Sequence, residues 1–227
     1  MKKITRIFIC GTDTGVGKTI VTGALLAWLN ENGIRAGGFK PTESGCSGMR
    51  RHLKRADATF LKKMARMPEN LDAINPYFFK EALAPGVAAM RSGKKVSFAV
   101  IKKKLESLEK KYDLVLIEGA GGLLVPLDGK KTTLDLIRFL KTPVLLVGRL
   151  GLGTLNHTLL TVEHLKRNRV PLVGVVLNEI TPQTSMAEKT NPGVLQSFKI
   201  PLLQVFPYLK NKSRQTLIVA GKHVFEY

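Results

Sequence analysis

The chain predicts an α/β fold, a doubly wound and mostly parallel sheet flanked by helices, of the P-loop NTPase type. Three observations carry this. An apolar strand runs through a glycine-rich turn into a helix at Ile7-Phe-Ile-Cys-Gly11-Thr-Asp-Thr14-Gly-Val-Gly17-Lys18-Thr19. Unbroken apolar runs recur at 114–117, 144–147 and 173–177, as expected of strands covered on both faces. Helical patterns separate these runs, which is the alternation that builds a parallel sheet.

The first strand spans Thr5 to Cys10. Gly15 and Gly17 then let the backbone turn tightly and aim its N–H groups inward. Such a nest, backed by a helix N-terminus, holds phosphate oxygens. Lys18 would reach the terminal phosphates and the Thr19 hydroxyl would ligate Mg²⁺. The strict phosphate-loop pattern has glycine where this chain has Thr12; here glycine stands one residue earlier, at Gly11. The helix begins at Thr19, carries Val21, Leu25, Leu26 and Leu29 on one stripe, and stops at Asn32-Gly33. A second strand, Ala36 to Lys40, ends at Pro41. That leaves Lys40 at the carboxyl edge, where ligands of open α/β sheets bind, with the Ser44 hydroxyl close by.

Arg50, Arg51, Lys54 and Arg55 fall in a loop-like stretch, and Asp57 opens a helix to Met67. An aspartate there is a simple cap unless the helix end faces the phosphates. A short element starts at Asn75, and Leu83 to Met90 reads as helix despite Pro85 and Gly86. Ser97 caps a helix to Lys111 with Phe98, Ile101, Leu105, Leu108 and Tyr112 on its stripe. The run Leu114 to Glu118 is a buried strand ending in a carboxylate, placed to reach a metal beside Thr19. Gly119, Gly121 and Gly122 follow and allow close backbone approach to a ligand. Thr133 caps a helix to Leu140, and Val144 to Val147 is the next strand. A glycine-rich loop at 148–157 enters a helix to Asn168, and a strand from Val173 ends at Asn178. Helical residues at Thr184 to Lys189, a strand at Leu202 to Val205, Pro207 and a mixed tail complete the chain.

Composition bounds the function. With 227 residues, 44% of them hydrophobic, the chain supports one domain, 1–227, with a sizeable core. There is no signal-peptide pattern and no apolar run of membrane-spanning length, so a cytoplasmic protein without a membrane partner is expected. Cys10 and Cys46 form no paired motif. The four histidines, at 52, 157, 164 and 223, have no metal-ligand spacing. The net charge of +19 raises nucleic acid, anionic substrates or a general lysine bias as its cause. The lysines at 102–104 and 110–111 lie off the apolar stripe, which reads as a solvated face and argues against a nucleic-acid partner.

Taken in order, the motifs Gly11-Thr-Asp-Thr-Gly-Val-Gly-Lys-Thr19, Lys40-Pro-Thr-Glu-Ser-Gly45, Asn75-Pro-Tyr77, Glu118-Gly-Ala-Gly-Gly122, Gly153-Thr-Leu-Asn-His157 and Asn178 resemble those of dethiobiotin synthetases over nearly the whole chain. The resemblance implies a homodimeric, ATP- and Mg²⁺-dependent cyclo-ligase of biotin biosynthesis. Such an enzyme joins 7,8-diaminononanoate and CO₂ into the ureido ring of dethiobiotin. It implies catalytic roles for Thr14, Lys18 and Lys40. ATP would lie on Thr12, Asp13, Thr14, Gly15, Val16, Gly17, Lys18 and Thr19, with Glu118, Gly119 and Gly121 beside it and Asn178 and Pro207 at the adenine. Thr19, Asp57 and Glu118 would surround the metal. Thr14, Lys40, Ser44, Gly121 and Gly122 would meet the reacting end of the substrate. Gly153, Thr154, Leu155 and Asn156 would take its carboxylate tail across the dimer. Family members often carry Pro and His where this chain has Ala82 and Gly86, and residues 208–227 match poorly. A competing class is the partitioning or scaffold-type P-loop ATPase that binds nucleic acid or membrane. Its loop carries an additional lysine where this chain has Asp13.

Overall fold

The computed structural model describes residues 4–49, 53–182, 185–222 and 224; Arg50, Arg51, His52, Thr184 and His223, named above, lie outside them. The chain begins with β1 (Arg6–Gly11), α1 (Lys18–Glu31), β2 (Ala36–Phe39), β3 (Thr42–Glu43), α2 (Ala56–Ala65) and α3 (Leu71–Ile74). It continues with β4 (Tyr77–Phe78), α4 (Pro85–Arg91), α5 (Phe98–Glu109), β5 (Leu114–Gly122), β6 (Pro126–Asp128) and β7 (Lys131–Thr132). It ends with α6 (Thr133–Leu140), β8 (Val144–Arg149), α7 (Thr154–Arg167), β9 (Leu172–Asn178), α8 (Met186–Ser197), β10 (Leu202–Phe206) and α9 (Arg214–Lys222).

Among the described residues the central sheet has six strands, in the order β10-β9-β8-β1-β5-β2. Every neighbouring pair is parallel. The strands are apolar without alternation because helices cover both faces. Phe8, Ile9, Leu116, Ile117, Leu146 and Val176 are buried at its centre. After β1 the chain crosses to β2 at one edge; after β5 it steps over β1 to β8 and works outward to the other edge. Because such crossovers are right-handed, their opposite directions from β1 place α1 on one face and α5 to α8 on the other. The direction reverses beside β1, so the crevice at the carboxyl ends of β1, β5 and β2 is the switch point where such sheets bind ligands.

Several elements differ from expectation. The first helix starts at Lys18, one residue early, on Gly17 at φ 90°. α4 starts at Pro85, where a missing N–H costs nothing because first-turn donors have no intrahelical acceptor. β5 runs four residues past Glu118. α8 extends to Ser197, started by a reciprocal Ser185/Glu188 cap and carried through Pro192. The tail, read from the sequence only as mixed, contains a helix, α9. It packs on α1 so closely that a Cβ on Gly221 would lie 2.4 Å from the Ala24 carbonyl oxygen. Arg214 at its start donates to Glu31 at 2.8 Å and to the Ala27 and Met64 carbonyls.

Candidate active site

The loop from β1 to α1 is tied down on both sides. Thr12 donates its N–H to Val147 of β8 at 2.9 Å. The Asn178 carboxamide donates to the Val16 carbonyl at 3.0 Å and packs so tightly that a Cβ on Gly17 would lie 2.0 Å from its nitrogen. Lys18 folds back across the loop, and its ammonium donates to the Asp13 carbonyl at 2.9 Å. A Cβ on residue 11 would come within 2.7 Å of both groups, which is why glycine is needed at Gly11. Asp13, Thr14 and Gly15 remain exposed at the rim.

β2 and β5 bring the next groups in. Lys40 follows β2, with its N–H on Ile74 and its carbonyl accepting from Asn75 at 2.8 Å. Its ammonium lies 2.6 Å from Glu118 and 2.7 Å from Asp57. The Thr19 hydroxyl donates to the same Glu118 oxygen at 2.7 Å. Thus α2 does face the phosphate loop, and Asp57 is not the cap of its own helix. Glu118 is fully buried, and its second oxygen has no hydrogen-bond partner among the described residues.

Burial presses the Lys18 pKa down and the Lys40 ammonium adds to this, with Glu118 opposing. Burial acts on Lys40 in the same sense, but Glu118 and Asp57 outweigh it and raise the pKa above the ordinary lysine range. Burial raises the Asp57 pKa, and Lys40 more than reverses that, leaving it below the usual carboxylate range. Two buried ammonium groups therefore converge on a cleft of about 710 Å³. Thr14, Ser44 and Gly121 line it, and Ala82 to Pro85 supply a less polar wall. Gly86 lets α4 sit against β6, because a Cβ there would be 3.0 Å from the Pro126 carbonyl oxygen. Such a site suits an elongated anion with a polyphosphate at one end.

Some predicted residues stand apart from this cleft. Gly153 caps α7 at φ 90°, and Thr154 turns its hydroxyl inward to Thr158. Leu155 is half-buried and Asn156 exposed. Gly119 and Gly122 lie in the last residues of β5 outside the cleft lining; the Gly119 carbonyl accepts from Lys40 at 3.4 Å, and an added Cβ on Gly122 would lie 3.4 Å from the Thr12 carbonyl oxygen. Pro207 is exposed just beyond β10, whose Phe206 is in register with Asn178.

Two residues without an assigned role prove central: Asn75, which holds the Lys40 backbone, and Glu43, whose carboxylate accepts from the first turn of α2. A signal for the second was present. No Ser, Thr, Asn or Asp precedes Asp57 at the helix start, so the acceptor had to come from elsewhere. Among the described residues no cluster of three His, Cys, Asp or Glu is arranged around a metal, and no helix is long and apolar enough to cross a membrane.

A phosphate loop at the switch point of a parallel sheet, with a strand-end carboxylate bonded to the loop threonine, defines a nucleotide-binding P-loop protein. A family described as AAA domain matches residues 5–216. Two solved structures share the fold at low identity. One is the septum site-determining protein MinD with Mg-ADP from Pyrococcus horikoshii, with TM-score 0.57, 18% identity, and 98% and 96% of the two chains covered. The other is a putative plasmid partition protein from Borrelia burgdorferi bound to AMPPNP, with TM-score 0.56, 14% identity, and 99% and 98% covered. Curated relatives are nearer. The ATP-dependent dethiobiotin synthetase BioD of Thermodesulfovibrio yellowstonii is 42% identical, with 93% of each chain covered. That of Bacillus subtilis is 36% identical, with 93% and 90% covered. The chain belongs to the ATP-dependent dethiobiotin synthetase family.

Proposed function

We infer that this chain closes the ureido ring of dethiobiotin from 7,8-diaminononanoate, CO₂ and ATP, releasing ADP and phosphate. The single observation that carries the reading is the convergence of Lys18 and Lys40 on one cleft between the phosphate loop and the Ser44 side. Negative charge grows there in each step. One substrate amine takes up CO₂ and becomes a carbamate. A carbamate oxygen attacks the γ-phosphorus and the bond to ADP breaks, giving a carbamic–phosphoric anhydride. The second amine attacks the carbonyl carbon and phosphate leaves, closing a five-membered ring. Lys18 steadies the moving phosphoryl group, and Lys40 with Ser44 holds the carbamate. Thr14 orients the reacting end against Gly121 and Gly122. No protein nucleophile is needed, and holding both amines in one cleft makes ring closure intramolecular.

The donor set fits Mg²⁺, a hard cation that takes one or two carboxylates and leaves its other positions to phosphate and water. Thr19, Asp57 and Glu118 would hold it, and the unpaired Glu118 oxygen is a ready acceptor. When bound it would supply charge neutralisation at the β- and γ-phosphates. Lys40 shares both carboxylates, Asp57 and Glu118, with that position.

The substrate carboxylate lies several methylenes from its amines and so outside the phosphate site. The start of α7, at Gly153 to Asn156, has first-turn N–H groups suited to an anion. In the proposed homodimer it faces the partner's cleft. Leu152 and Leu160 support an interface there, being 86% and 62% exposed. Asn178 and Pro207 are proposed to border the adenine, and a cytoplasmic setting agrees with two buried free cysteines. Labelled bicarbonate supplied with ATP, Mg²⁺ and diaminononanoate should yield acid-stable label in dethiobiotin. ATP turnover without such label would refute the reading.

A further inference from the structure

We infer that Glu43 is a positioning residue: its carboxylate sets the first turn of α2 so that Asp57 is presented to Lys40 and Thr19. α2 has no cap of its own. Arg55 stands at the cap position, and a guanidinium has no acceptor to offer the free N–H groups of the first turn. Glu43 supplies both acceptors from a different element. One oxygen takes the Asp57 N–H at 3.0 Å and the other takes the Ala58 N–H at 3.1 Å. Two acceptors on one planar group set the rotation of the turn as well as its position, and that rotation decides where the Asp57 side chain points.

Glu43 is itself held. It is 5% exposed, and its carbonyl accepts the Phe79 N–H at 2.8 Å as β3 pairs with β4. It lies three residues beyond Lys40, so one short segment grips Asp57 twice. Lys40 takes its carboxylate at 2.7 Å, and Glu43 takes its backbone. Glu43 also borders the cleft, but both its carboxylate oxygens are taken up by the first turn of α2, and orientation of that turn is the role these hydrogen bonds describe. Removing it releases the turn that bears Asp57 and leaves the Lys18–Asp13 and Thr19–Glu118 hydrogen bonds in place.

The inference rests on the reading of Asp57 as a carboxylate on the metal side of the nucleotide. The test is calorimetric titration of the full chain with the non-hydrolysed analogue AMPPNP, in Mg²⁺ and in EDTA. Glu43→Ala should weaken binding in Mg²⁺ by about 10–100-fold, the scale for losing the outer partner of a metal-side group, and change binding in EDTA by less than about two-fold. Glu43→Gln, which keeps one oxygen acceptor, should fall between Glu43→Ala and the parent, and it decides the comparison if Glu43→Ala melts too early to titrate. In an Asp57→Asn background, Glu43→Ala should add nothing to the Mg²⁺-dependent loss. Equal losses in Mg²⁺ and EDTA, or a full additional loss on top of Asp57→Asn, would overturn the positioning role alone. Unchanged Mg²⁺-dependent binding in Asp57→Asn would overturn the metal reading and this inference together.

Discussion

Lys40 is 3% exposed and its partner Glu118 is fully buried, which changes what a substitution at Lys40 means. A strand-end lysine reads as a group at the ligand edge whose loss spares the fold. In the structure Lys40→Ala strands a buried carboxylate, and breaking such a pair costs about 3–5 kcal/mol. We therefore expect Lys40→Ala to lower the urea midpoint and, per folded molecule, to reduce turnover by about 10²–10³, the scale for losing one donor to developing charge. Lys18→Ala should show a similar kinetic loss without that stability cost, since its hydrogen bond goes to a carbonyl. Near-normal turnover by folded Lys40→Ala would contradict its role. Asp57 makes a separate prediction. Its folded pKa lies below its unfolded value because Lys40 outweighs burial, so the stability it contributes is present above the unfolded pKa and lost as pH falls through the folded one. The stability gap between the parent and Asp57→Asn should be open near neutrality and close as pH falls below about 4. Urea melts across that range would show a constant gap if the pairing were absent.

The elements differ in how much of their position comes from their own sequence. α5 follows its stripe: Ile101, Leu105 and Leu108 are buried, and Lys102, Lys103, Lys110 and Lys111 face solvent as expected, whereas Lys104 is half-buried. α9 has a weak pattern of its own and is held by its neighbours, through Arg214 at one end and Gly221 against Ala24 at the other. Gly221→Ala should overpack that contact and cost about 1–3 kcal/mol. Gly193→Ala, in α8, meets nothing within 4 Å and should be neutral or stabilise by about 0.5–1 kcal/mol. Equal melting shifts for the two variants would show that helix propensity, and not the α1 contact, sets the α9 requirement.

At the scale of the molecule, the proposed shared site can be tested by mixing subunits. An inactive Lys18→Ala chain is combined with a chain broken at the start of α7 by Thr154→Pro, once both are shown to fold and dimerise. If each site draws on two chains, one of the two heterodimer sites carries neither lesion and activity returns. Demonstrated heterodimers that stay inactive would exclude the arrangement. The charge of +19 belongs to this scale too. With the α5 lysines solvated, binding to random duplex DNA should be weak at physiological salt; tight binding with a steep slope against log salt would contradict this.

The phosphate loop, the order of the strands along the chain, and the residue types at Lys18, Thr19, Lys40 and Glu118 were legible in the sequence. Each depends on neighbours within a few positions: a tight turn demands glycine, and a strand covered on both faces demands an apolar run. The fold class followed from that alternation. What only the tertiary structure decided involves partners far apart in the chain. Gly11 must be glycine because Lys18 and the Asp13 carbonyl crowd it, Asn178 reaches back to Val16, and Glu43 caps a helix thirteen residues downstream that cannot cap itself. α9 is likewise defined by the surface it covers. The physical reason is common to all of these: local pattern reports what a segment prefers, whereas hydrogen-bond satisfaction and close packing are settled only when distant segments meet.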